Sequence, residues 1–224
     1  MSLIICKYYD EVIGLGKYCQ LTWYLRNRNL LSETRHIFDD MVSNKLSCLC
    51  DLIENKFDNF FSFSNLKKIE FNKWNRFTIL DEANGITSVH DFKHDLDKQT
   101  HSLFIDEKMA DIAKFFESIE QKDSLLFVRV NNPYEPLEQS VRLLEILRSI
   151  RKGKKFDLYV FQENDFAKKV VGMPNMNMFY DKQWDWSPEL KWHGNIELWD
   201  TIFKHARTNK QSRIWKPQNQ INDL

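Results

Sequence analysis

The sequence predicts an α/β fold: one domain built on a mostly parallel sheet flanked by helices on both faces. Three observations carry this. Apolar runs alternate with segments of helical period along the chain. Two of the runs, Leu125-Leu126-Phe127-Val128-Arg129-Val130 and Phe156-Asp157-Leu158-Tyr159-Val160-Phe161, are nearly continuous, as expected of strands covered on both faces. Polar groups gather directly after the runs, where open parallel sheets carry their sites. Of 224 residues 42% are hydrophobic, with 17 Phe and 7 Trp, enough to build a core. The domain is expected over residues 1–208, followed by a polar tail over 209–224.

Residues 8–15 read as the first strand, ending in Gly14-Leu15-Gly16, and a helix follows from Cys19 to about Leu31. A short apolar piece, His36-Ile37-Phe38, ends in Asp39-Asp40. Ser43 has the character of an N-cap, and helical period then runs through Leu46, Leu49, Ile53 and Phe57 to about Phe61. Residues 62–84 have no clean period and are expected as short strands or packed loop. The turn signal Asn84-Gly85 introduces a buried strand over 85–92 that ends in His90-Asp91, before a polar run over 93–100. Residues 105–120 read as a strongly amphipathic helix. The run over 125–130 is the clearest strand and ends at Asn131-Asn132-Pro133. A helix over 137–151 is closed by Gly153. The strand over 156–161 ends in Gln162-Glu163-Asn164. A weaker strand over 176–180, a tryptophan-rich loop over 184–192 and a helix near 196–207 complete the chain.

Lys plus Arg and Asp plus Glu both number 32, so the formal charge is zero. A balanced chain lacks the basic excess that draws nucleic acid or anionic membranes, and neither is expected as a partner. No stretch approaches the roughly 20 apolar residues of a membrane span. The first seven residues lack the basic and apolar regions of a secretory signal. The four cysteines, Cys6, Cys19, Cys48 and Cys50, form no disulfide framework and read as reduced thiols of a cytoplasmic protein.

The candidate site follows from the strand ends. Cys19 sits where a glycine turn hands over to a helix N-terminus, a place that favours a thiolate. A thiol nucleophile needs a base, and His90 is the candidate, with Asp91, Asp39 or Asn131 to orient it. Gly14, Gly16, Lys17, Gln20 and Arg129 are candidates to hold an oxyanion or a phosphate. The same turn supports a second reading. Gly14-x-Gly16-x-x-Cys19 is one residue short of the dinucleotide fingerprint, and Asp39 lies about twenty residues beyond, so a nucleotide or nucleotide-sugar binding module with a structural Cys19 is the alternative. A third reading is an interaction protein without chemistry. His90, Asp91, His94, Asp95 and His101 lack a familiar zinc spacing, so no metal and no cofactor is expected.

These motifs resemble a family of bacterial and viral proteins, the papain-like cysteine peptidases of unassigned activity. The residues that carry the resemblance are Tyr9-Asp10, Gly16-Lys17-Tyr18-Cys19-Gln20 with Leu25-Arg26, Phe38-Asp39, the segment over 52–61, His90-Asp91-Phe92, Leu126-Phe127-Val128-Arg129 and Trp199-Asp200. Lys17-Tyr18 stands where the family favours small or polar residues, and Asp40 where it has tryptophan. The resemblance spans roughly residues 8–205. It implies a Cys19/His90 hydrolase or transferase acting on a small-molecule, peptide or glycan substrate. Members are often encoded near glycan-biosynthesis genes, which implies a link to polysaccharide assembly. It also implies another architecture, the papain-like α+β arrangement, in which an antiparallel sheet packs on the helix bearing the cysteine.

Overall fold

The computed structural model describes residues 7–31, 35–39, 41–162, 173–181, 196–204 and 206–208. Its framework is a four-stranded parallel sheet of β2 (Glu11–Gly14), β7 (Ser124–Val130), β8 (Lys155–Gln162) and β9 (Met176–Tyr180), in the order β2-β7-β8-β9. Ile13 lies opposite Phe127, Phe127 opposite Leu158, and Leu158 opposite Met176. The two continuous apolar runs are the two central strands, because only a strand covered on both faces can leave out the polar half of the alternation.

Successive side chains along the sheet part into two hydrophobic clusters. Ile13, Leu125, Phe127, Leu158 and Val160 join one cluster with α2 (Leu46–Glu54), α3 (Lys98–Gln121) and α4 (Leu137–Arg151), through Leu49, Phe115 and Leu147 among others. Val12, Leu126, Val128 and Phe161 join the other with α1 (Cys19–Asn27) and α5 (Ile196–Phe203), through Leu21, Tyr24, Leu25, Trp199 and Phe203. Tyr24 meets Trp199 edge-on at 4.9 Å between ring centroids. Its hydroxyl donates to Asp200, which also takes two bonds from Arg28, so the two helices are tied by charge as well as by apolar contact.

The structure has a second sheet, which the alternation of helical and apolar segments does not predict. The strand expected over 85–92 does not join the parallel sheet. It is β6 (Ile86–Phe92), and it lies in a four-stranded antiparallel sheet with β3 (Met41–Ser43), β5 (Phe77–Asp81) and β4 (Leu66–Phe71), in the order β3-β6-β5-β4. The reason is the turn before it. Gly85 has φ of +62° and its N–H donates to the Asp81 carbonyl, which makes Asn84-Gly85 a hairpin turn returning β5 into β6. Strand β4 lies in the segment over 62–84 expected as short strands or packed loop, and it has no clean period because five of its six residues are exposed. The architecture is therefore mixed, with a parallel and an antiparallel sheet, but it departs from the papain-like expectation in one respect: the helix bearing Cys19, α1, packs in the cluster of the parallel sheet and not on the antiparallel one.

Local boundaries moved for identifiable reasons. The first expected strand divides at Asp10, whose carboxylate accepts from the N–H groups of Asp123 and Ser124. The piece before it, β1 (Lys7–Tyr9), pairs in parallel with β10 (Ala206–Thr208), which takes the end of the expected last helix. Ser43 is not an N-cap but the last residue of β3. Helix α2 stops at Glu54, because Lys56, Phe57, Asn59 and Phe61 all adopt left-handed backbone. Helix α3 starts earlier than expected, at a capping box between Asp97 and Thr100. Glu163, Asn164, the tryptophan-rich loop over 184–192 and the tail over 209–224 lie outside the described residues. Among the described residues no helix is long and apolar enough to cross a membrane.

Candidate active site

The carboxyl edge of the parallel sheet is a polar layer built around one guanidinium. Arg129, near the end of β7, is fully buried. Its Nη1 donates to the Leu15 carbonyl at 2.7 Å and to Ser43 Oγ at 2.5 Å, its Nη2 to the Ser43 carbonyl at 2.9 Å, and its Nε to Asn131 Oδ1 at 3.3 Å. Burial pulls the Arg129 guanidinium down to about 10, which leaves it charged at neutral pH. The Asn131 amide donates to Ser140 Oγ and to Gln162 Oε1, and the Gln162 amide donates to the Glu135 carbonyl. Arg129 and Asn131 thus spend their hydrogen bonds in the scaffold, joining the ends of β7 and β8 to the turn after β2 and to β3.

That turn is where the glycines matter. Gly16 has φ of +79°, and a Cβ there would lie 2.9 Å from Ser43 Oγ and 3.0 Å from Arg129 Nη1. Only glycine allows both the backbone conformation and the approach. The room beside Gly16 is taken by Arg129 and Ser43. Gly14 is less constrained: its Cβ would stand 3.7 Å from Asp39 Oδ1 and 3.8 Å from Leu21 and Leu25, ordinary contacts at the junction of β2 with α1. Lys17 is buried, donates to Asn132 Oδ1, and lies 4.4 Å from the Tyr18 ring centre. Burial, reinforced by the Arg129 charge and opposed by Glu135, lowers the Lys17 ammonium to about 8.

Cys19 is the first residue of α1 and is half-buried. Tyr18 precedes it in extended conformation, and the first turn of α1 holds no acidic side chain to compete for the helix N-terminus. Gln20 and Thr22, which follow it in α1, are buried, and the Thr22 hydroxyl donates to the Asp39 carbonyl. Asp39 lies in the turn beside the open edge of β2, its Oδ2 accepting from the His36 N–H at 2.9 Å. Next to it, His36 Nε2 meets Glu11 Oε1 at 2.9 Å, both residues buried. The other thiols have different surroundings. Burial pushes Cys50 up to about 12, and half-buried Cys48 packs under the Gly85 turn.

His90 belongs to the antiparallel sheet. Between the pairs Ile79–Ser88 and Phe77–Phe92, β5 has the single residue Thr78 and β6 has Val89, His90 and Asp91. Within this bulge Val89, His90 and Asp91 are half-buried, while Ser88 and Phe92 on either side are buried. Met41 of β3 lies opposite Ser88, so Asp39 and His90 each stand two residues beyond that pair. The His90 ring contacts the Trp74 indole at 5.0 Å between centroids. Among the described residues no hydrogen bond joins His90 to Cys19 or to any other group.

Asp91 points elsewhere. It accepts from Lys108 Nζ at 2.8 Å, Ser88 Oγ at 2.6 Å and Arg35 Nη2 at 3.1 Å. Burial by itself would raise its carboxyl, but Lys108, Ser88 and Arg35 together outweigh that and hold it below the ordinary carboxylate range. The structure therefore brings Gly14, Gly16, Lys17, Cys19, Gln20, Arg129 and Asn131 to one edge of the parallel sheet, with Asp39 beside them. His90 and Asp91 lie across β3.

Several site residues were missed in the sequence. Ser43 has the sequence pattern of a helix cap, while Glu135 and Ser140 follow a turn signal and carry no periodic hint. Glu135 is buried, with Oε2 accepting from the first N–H of α2. It lines a cleft of about 480 Å³ with Lys45, Ser47, Asn132, Tyr134 and Gln139. Among the described residues no group of three or more His, Cys, Asp or Glu side chains is placed to hold a metal ion.

No curated protein and no solved structure matches this chain. A family of sequences does, over residues 10–161, which takes in the Cys19 turn, the His90 bulge and all of β7 and α4. The chain belongs to that family, described as putative papain-like cysteine peptidase (DUF1796).

Proposed function

We propose that the protein is a thiol-dependent hydrolase or acyl transferase in which Cys19 is the nucleophile and His90 its base. The observation that supports this best is the place of Cys19, half-buried at the first position of α1 on the carboxyl edge of the parallel sheet. A thiolate there is favoured by the helix dipole and by the N–H groups of the first turn. In the proposed reaction His90 takes the thiol proton, the sulfur attacks an acyl carbon, and the S–C bond forms as the carbonyl becomes an oxyanion. N–H groups at the start of α1, with the Gln20 amide, face that oxyanion. Collapse of the adduct expels the leaving group, which takes its proton from His90, and water or a second acceptor releases the acyl group. Lys17 and Arg129 hold the turn in place and keep the edge positive. Substrates of this chemistry are acyl compounds carried on a small molecule, a peptide or a glycan.

Incubation with p-nitrophenyl acetate tests the proposal. Peptide mapping should find an acetyl adduct on Cys19 in wild type and none at this position in Cys19→Ser and His90→Ala. Acetylation spread over Cys48 and surface lysines with Cys19 unmodified refutes it.

A further inference from the structure

A catalytic imidazole is usually fixed by a carboxylate or amide on its second nitrogen. Here the three residues expected in that role are engaged elsewhere. Asp91 is held by Lys108, Arg35 and Ser88, Asn131 by Arg129, Ser140 and Gln162, and Asp39 bonds the His36 backbone. Among the described residues neither His90 nitrogen has a hydrogen bond. What touches the ring is Trp74, at 5.0 Å between centroids and 58° between planes. From this geometry we infer that Trp74 is the positioning residue of His90, an indole doing by contact what an acid would do by hydrogen bonding.

The turn carrying Trp74 is built for that task. Residues 72–76 link β4 to β5, and Asn72 organises them. Its Oδ1 accepts from the N–H groups of Trp74 at 3.0 Å and Arg76 at 3.2 Å. Its Nδ2 donates to the Val89 carbonyl at 2.8 Å and to Thr78 Oγ1 at 3.2 Å. Val89 is the bulge residue next to His90, and Thr78 is the residue opposite the bulge. One asparagine side chain therefore fastens the tip that holds the indole to the bulge that holds the imidazole. Trp74 remains 45% exposed, and Lys73 Nζ lies 4.9 Å from its ring centre. Such exposure is unusual for a tryptophan whose only task is packing. An aromatic contact restrains the plane of the imidazole while leaving both nitrogens open to a thiol and a leaving group.

This inference rests on the proposed role of His90, and two readouts keep the two claims apart. The first is NMR of the histidine side chains, which needs no activity. Trp74→Ala removes the ring-current shift of the His90 protons and frees the ring to reorient. Asn72→Ala produces part of the same change, and Trp74→Phe keeps most of it. The second is the rate of Cys19 acetylation by p-nitrophenyl acetate across pH. Trp74→Ala lowers the maximal rate on the order of 100-fold, the effect of a misplaced reacting group, with KM little changed. Trp74→Phe restores most of the rate. In a His90→Ala background, Trp74→Ala has no further effect. An unshifted His90 spectrum in Trp74→Ala overturns the inference whatever the enzyme does. So does a rate loss of equal size with and without His90, or a change confined to KM. If wild type is not acetylated at Cys19, the proposed function fails, and the spectrum alone decides whether Trp74 sets the imidazole.

Discussion

Gly16→Ala should be among the most damaging single-methyl additions in this chain, and its cost can be worked from the geometry. The φ of +79° puts any L side chain in left-handed backbone, which costs roughly 1–2 kcal/mol. The added Cβ would also stand 2.9 Å from Ser43 Oγ and 3.0 Å from Arg129 Nη1, so the 2.5 Å bond between those two groups must open. Losing a hydrogen bond to a buried charged group costs about 1.5–3 kcal/mol. The sum is about 2.5–5 kcal/mol. Gly153→Ala is the matched control. Gly153 has φ of +85° but open space around its Cβ position, so it carries the backbone strain alone. Urea unfolding followed by tryptophan fluorescence measures both variants. Gly16→Ala should be the less stable of the two by about 1.5–3 kcal/mol. Equal losses would refute the claim that Arg129 and Ser43 fill the room beside Gly16.

Further outcomes follow from the charged groups. Lys108→Met should destabilise by about 3–5 kcal/mol in urea unfolding, because it strips a buried partner from Asp91, and Asp91→Asn in the same chain should recover part of the loss. Asp91 is lowered in the folded state, so its stabilising contribution is present above the unfolded value of 3.8 and is lost as pH falls through the folded value. Acid unfolding of Asp91→Asn should accordingly have a shallower limb than wild type. Lys17 is lowered from 10.5 to about 8, so between those values the unfolded chain binds more protons and stability rises with pH. Wild type should gain up to about 3 kcal/mol relative to Lys17→Met over that window in urea unfolding at stepped pH.

The parallel sheet was legible because its central strands, β7 and β8, are buried along almost their whole length and write themselves as nearly continuous apolar runs. The antiparallel sheet was not, because β4 is exposed along nearly its whole length and β3 is three residues long. Asn84-Gly85 carried the needed information, since that dipeptide marks a hairpin as well as a turn. Cys19, Lys17 and Arg129 could be assigned to a strand end from spacing. The partners of that edge could not, because Ser43 meets Arg129 across 86 residues of chain, and Ser140 and Gln162 meet Asn131 across 9 and 31, each through only one or two hydrogen bonds. Periodicity supplied the parallel sheet; the papain-like resemblance implied an antiparallel sheet on the cysteine helix, whereas the antiparallel sheet present leaves α1 to the parallel one. Trp74 illustrates the remainder. In the sequence it is one apolar residue in an unreadable stretch, and its meaning depends on a bulge in a strand fifteen residues later.

The most direct test of the central claim compares two half-buried cysteines. Cys19 and Cys48 are both half-buried, while Cys50 is buried with its thiol pushed up to about 12. Competitive labelling of the native protein with limiting iodoacetamide at pH 7, read by peptide mass spectrometry, ranks their reactivity. If Cys19 is the activated nucleophile, it should label roughly tenfold or more faster than Cys48, with Cys50 slowest, and denaturation should abolish the difference. Labelling of Cys19 no faster than that of Cys48 would contradict the account.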